Sequence, residues 1–95
     1  MNIPAIFSKV YNGKPNWITP NIIRYGSFVD KAYHQFLYEL SNGDGIFDRS
    51  KKIYGITVLR FNNGEYKPDN ELSAGAFDSE VEALRYLDTL KERVN

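Results

Sequence analysis

Ninety-five residues, 42% apolar and 15% aromatic, suffice for one hydrophobic core and exclude two, because smaller units need metal or disulfides to hold them. Cysteine is absent, which excludes disulfides and thiolate metal sites and fits a cytoplasmic chain. Twelve basic residues balance twelve acidic ones, the wrong ratio for a dedicated nucleic-acid binder, whose affinity comes largely from phosphate neutralisation.

The charge is not evenly spread. Residues 1–52 carry seven Lys/Arg against four Asp/Glu, and residues 53–95 carry five against eight, giving a weak dipole that steers encounters without naming a partner. The opening "MNIPAIFSKVYNGKPNW" lacks the basic start and long apolar core of an export signal. No apolar run nears the ~20 residues that span a bilayer, so a soluble protein without a membrane partner is expected.

In chain order, Ile3 to Tyr11 alternates loosely and predicts a strand, tempered by Pro4. Asn12-Gly13 then suits a type I′ hairpin turn, with Trp17 and Ile18 pairing back before Pro20. Ile22 to Tyr25 is a short β-prone run that Gly26 ends. Ser27, three before Asp30, has the spacing of a capping box. Phe28, Val29, Ala32, Tyr33, Phe36, Leu37 and Leu40 recur with helical spacing, so a helix is predicted from Ser27 to Leu40. The glycines of "SNGDG" stop it.

Lys52 to Phe61 is β-branched and apolar on both faces, as a central strand requires. "NNGE" turns the chain, and Pro68 confines the returning strand to an edge. Ser79 and Glu82 form a capping box for a final helix whose inward stripe is Ala83, Leu84, Leu87, Leu90 and Val94. The expected fold is a single α+β domain over residues 1–95 in β-β-α-β-β-α order. An antiparallel sheet of three or four strands carries both helices on one face. Tyr33, Phe36, Leu37, Leu84, Leu87 and Leu90 are expected to meet Ile56, Val58, Leu59 and Phe61 in one core. The halves share an Asn-Gly, a Lys-Pro and a Phe near the helix start, generic grammar rather than duplication.

No motif carries catalysis. His34, the single histidine, stands four residues from Asp30 and Tyr38, a surface pair on a helix rather than a general base. Asp44 and Asp48 do not follow the D-x-D-x-D-G calcium loop, and no phosphate cradle surrounds the glycines. No catalytic residue, metal or cofactor is therefore expected.

Between residues 9 and 25 lie Lys9, Tyr11, Lys14, Trp17, Arg24 and Tyr25 with no acid among them. Seven tyrosines and one tryptophan exceed what a small core needs, and these residue types concentrate binding energy. Lys9, Tyr11, Lys14, Trp17, Arg24 and Tyr25, flanked by Lys31, His34 and Tyr38, are accordingly expected to contact a partner. The expected function is a small non-enzymatic regulator or inhibitor, monomeric or homodimeric, that docks on a larger protein or complex. Its size suits a phage or mobile-element protein acting on host defence, an expectation that rests on no particular residue. The alternative is a nucleic-acid module stacking bases on the first hairpin.

Overall fold

The computed structural model describes residues 2–11, 21–45 and 48–94, the last two without their side chains. Its elements are α1 (Ile3–Val10), β1 (Asn21–Val29), β2 (Gln35–Asp44), β3 (Lys52–Asn62), β4 (Glu65–Pro68), β5 (Ala74–Phe77) and α2 (Glu80–Val94). The α+β class is as expected, whereas the order is α-β-β-β-β-β-α. The Asn12-Gly13 turn and the pairing of Trp17 and Ile18 fall outside the described residues.

Three local readings are corrected. The expected strand from Ile3 is helix α1. Asn2 caps it, its Oδ1 accepting the Ala5 N–H at 3.2 Å, and Pro4 sits in the first turn, where its missing N–H costs nothing. Ile3, Ile6, Phe7 and Val10 then share one helical face.

The second correction is larger. The expected helix Ser27–Leu40 is a β-hairpin, β1 paired antiparallel with β2 from Asn21↔Asn42 to Val29↔Gln35. Asp30 is not a helix cap but closes the turn. Its Oδ1 accepts the N–H groups of Ala32 at 3.0 Å and His34 at 2.8 Å, and Tyr33 takes a φ of 63°. Residues 36–41 are buried on both sides of β2; a helix would have left one face to water. Gly26 ends no strand. It lies inside β1, where a Cβ would run into the Tyr38 ring. The "SNGD" expected to stop a helix continues β2.

The third correction concerns layering. The helices lie on opposite faces of the sheet. Ala83, Leu87 and Leu90 of α2 pack on Phe36, Tyr38, Leu40, Ile56 and Val58. On the other face, Phe7 of α1 packs on Leu37 and Leu59. The alternation of side chains along β2 and β3 forces this, since a sheet apolar on both sides must be covered on both. Tyr33, expected in the core, is 83% exposed, and Phe61 is 40% exposed.

The sheet order is β1-β2-β3-β4, with β5 also pairing β3. The central place expected for Lys52–Phe61 is confirmed, as is the edge position of the strand holding Pro68. Asn63 and Gly64 turn between β3 and β4 at φ of 52° and 83°, the backbone that an Asn-Gly hairpin favours. Between β4 and β5 the chain leaves the ladder. There the Val58 N–H donates to Ser73 Oγ at 2.9 Å, and that hydroxyl donates to the Asp69 carbonyl at 2.8 Å. Ser79 Oγ accepts the Glu82 N–H at 3.2 Å, as the capping box requires, and the Glu82 carboxylate reaches back to the Asp78 N–H. No helix among the described residues is long and apolar enough to cross a membrane.

Candidate protein-docking surface

The sheet's two faces sort the predicted contact residues. Lys14 and Trp17 lie outside the described residues. Tyr25 pairs with Glu39 and faces α1, its ring 5.3 Å from that of Phe7. Tyr11 follows α1 directly and stacks on the same Phe7 at 6.5 Å. Lys9 stands exposed in the last turn of α1. Lys9, Tyr11 and Tyr25 thus gather around one end of α1.

Arg24, opposite Leu40 in the ladder, belongs to the α2 face and is separated from Lys9 by the sheet. Tyr38 is only 7% exposed. It is a core ring over Gly26 with the Lys91 ammonium 5.8 Å from its centroid, and it presents almost no contact surface. His34 and Lys31 sit at the tip of the β1–β2 hairpin. His34 Nδ1 lies 2.8 Å from Asp30 Oδ2. Partial burial pushes the Asp30 carboxyl up, but the bonds from His34 and Ala32 outweigh it and hold the carboxyl below its ordinary range. The i,i+4 pair expected on a helix therefore exists across a tight turn, where its main work is closing that turn.

Two features escaped the sequence reading. The first is Glu39, 7% exposed on the α1 face between Tyr25 and Thr57. Burial raises its carboxyl above the usual range, while the bond donated by the Tyr25 hydroxyl opposes the rise. Burial and the facing carboxylate together raise the Tyr25 phenol. Beside them Ser41 is fully buried, its Oγ without a hydrogen-bond partner among the described residues. A charge inside the run "FLYEL" was the available signal.

The second feature is a groove of about 490 Å³ between α1 and the β3–β4 hairpin. Ile6, Val10, Phe61, Tyr66 and Pro68 form its apolar lining, with Lys9, Glu65 and Lys67 also lining it. Phe61 meets Tyr66 edge-on at 5.0 Å, and the Tyr66 hydroxyl donates to Gln35 Oε1 at 3.1 Å. Lys67 lies 3.4 Å from Glu65, whereas Lys9 has no ion-pair partner among the described residues. Phe61 was expected in the core; alternation puts it with Leu59 on the α1 face, at the end of β3, where it forms groove wall beside α1.

A larger hollow of about 730 Å³ lies between the β2–β3 loop and the start of α2. Its Lys52 already pairs with Asp44 at 2.7 Å, and charges of both signs line it, so it favours neither a cation nor an anion. Among the described residues no three His, Cys, Asp or Glu side chains gather closely enough to hold a metal ion. Compared with models of protein families, with curated proteins and with solved structures, the chain matches none.

Proposed function

We propose that the protein is a small non-enzymatic regulator or inhibitor that works by docking on a larger protein or protein complex. The observation that carries this reading is the groove beside α1. Its lining is mainly apolar, its Phe61 is 40% exposed, and Lys9, Glu65 and Lys67, which also line it, are exposed. Aromatic anchors in a partly desolvated groove are where binding energy concentrates. Lys67 is paired with Glu65, so Lys9 is the cation that favours a partner segment with a carboxylate beside its apolar side chains. Lys9 belongs to the basic-aromatic stretch singled out in the sequence, and Tyr11 and Tyr25 continue the surface around the end of α1.

The test is affinity capture from cells of the native host, comparing the wild-type chain with Lys9→Glu and Phe61→Ser. Both side chains are exposed, so folding, checked by circular dichroism, should survive. The wild-type chain should retain one protein in equal stoichiometry, and both variants should lose it. No stoichiometric protein on the wild-type chain, or equal retention by all three, contradicts the proposal.

A further inference from the structure

The sheet has two unlike edges. On one side β3 is covered by β4 and β5, four residues each, separated by the Asp69–Ser73 turn. On the other, β1 runs for nine residues with its outer edge unpaired among the described residues. Long bare edges are usually blunted by lysine, proline or inward-facing charge. β1, "NIIRYGSFV", has none of these devices; Arg24 is its single charge, and Ile22, Ile23 and Val29 are 41%, 37% and 47% exposed. Its one irregularity, between Ile22 and Arg24, leaves Arg24 to Val29 regular.

We infer that β1 pairs antiparallel with β1 of a second copy, joining two five-stranded sheets into one across a two-fold axis at Ser27. The sequence of the edge selects both occupant and register. Opposed residues of an antiparallel pair share a face, so a two-fold normal to the sheet must pass through a residue. An axis at Ser27 sets Arg24 against Asp30 of the second copy, and the symmetry repeats the pair. These are the single cation of the strand, on the α2 face, and the acid that immediately follows the strand at the start of the turn.

Asp30 retains acceptor capacity for this. Among the described residues its Oδ2 meets only His34 Nδ1, and a carboxylate oxygen accepts more than one bond. The same register lays Phe28 beside Gly26 of the second copy, over which that copy's own Tyr38 ring lies, so the two rings meet across the seam. It also lays Tyr25 beside the exposed Val29 of the second copy. The β1 edge is thus complementary to itself in charge and in apolar character. This interface is separate from the groove beside α1 and stands or falls independently of it.

The test uses sedimentation velocity on the wild-type chain up to about 100 μM, well above the concentrations at which specific homodimers assemble. A dimer is expected, and Arg24→Glu, which sets acid against acid, should weaken it by about tenfold or more. Arg24 is exposed, so the variant keeps its fold. Because the chain has no cysteine, Ser27→Cys introduces a unique thiol that faces its own copy across the axis. It should form a disulfide-linked dimer under mild oxidation, since directly opposed Cα atoms of an antiparallel pair lie about 4.5–5.5 Å apart, within the roughly 4.4–6.8 Å that a disulfide spans. Asn70→Cys, exposed in the turn at the other edge, should not. A monomer throughout, a dimer indifferent to Arg24→Glu, or equal cross-linking of the two cysteine variants overturns the inference.

Discussion

Pairing a substitution on each face of the sheet tests whether the domain holds two separate apolar layers. Leu87 is 1% exposed and packs with Tyr38, Leu40, Ile56 and Val58. Truncation to alanine removes its contacts and leaves a cavity, costing about 2–5 kcal/mol. For a domain of this length that corresponds to a fall in Tm of roughly 10–30 °C. Phe7 is 3% exposed and packs with Leu37 and Leu59 on the opposite face. Phe7→Leu keeps an apolar group there and should cost about 1–2 kcal/mol. Among the described residues no side chain belongs to both clusters. The double variant should therefore lose the sum of the two costs to within about 0.5 kcal/mol, as distant sites do. Urea unfolding of the four proteins, monitored by circular dichroism, gives the cycle. A coupling above about 1 kcal/mol would mean that α1 and α2 share one core and that the layering is wrong.

Three further outcomes follow from single sites. Burial raises the Glu39 carboxyl above its unfolded value, so the folded state holds its proton more tightly. That stabilisation is complete below the unfolded value and is lost as pH rises through the folded one. Glu39→Gln should gain in urea midpoint relative to wild type towards neutral pH and lose that gain on acidification; a pH-independent difference would sink the assignment. Gly26→Ala pushes a Cβ into the Tyr38 ring and should cost about 1–3 kcal/mol by overpacking, read as a fall in urea midpoint that an exposed strand glycine would not show. Ser73→Ala removes the acceptor of the Val58 N–H and should cost about 1–3 kcal/mol, with amide exchange at Val58 accelerated above its neighbours; unchanged exchange there would contradict the bond.

The second half of the chain was legible because its signals are local and unambiguous. Asn63-Gly64 demanded a tight turn, Pro68 an edge, Ser79 and Glu82 a helix start, and each is found there. The first half misled for a physical reason. In "FVDKAYHQFLYEL" the apolar residues satisfy a 3.6-residue period and, on either side of a turn at Asp30, also form the short unbroken apolar runs of a strand buried on both faces. Asp30 suits a helix cap and an Asx turn equally well, because both use its carboxylate to accept nearby backbone N–H groups. Tertiary pairing with β3 decides the matter, and no window of that length contains it.

The opening helix was readable in principle. Asn2, Pro4 and the 3, 6, 7, 10 spacing of its apolar residues are all helix signals, outweighed by a looser alternation. The candidate surface was only half visible. Lys9, Tyr11 and Tyr25 converge because α1 folds across the face that holds Tyr25. Arg24, their sequence neighbour, turns to the other side by the strand's own alternation. Phe61 and Tyr66 join Lys9 through a hairpin some fifty residues away, a proximity that composition does not encode.

The central claim, that this protein acts by docking a partner on the groove beside α1, is tested most directly by hydrogen exchange on the captured complex against the free chain. The account predicts slowed exchange over residues 3–10 and 61–68, the two walls of the groove, with α2 unchanged. Protection confined to the outer face of α2, around Glu80, Arg85 and Asp88, would contradict it.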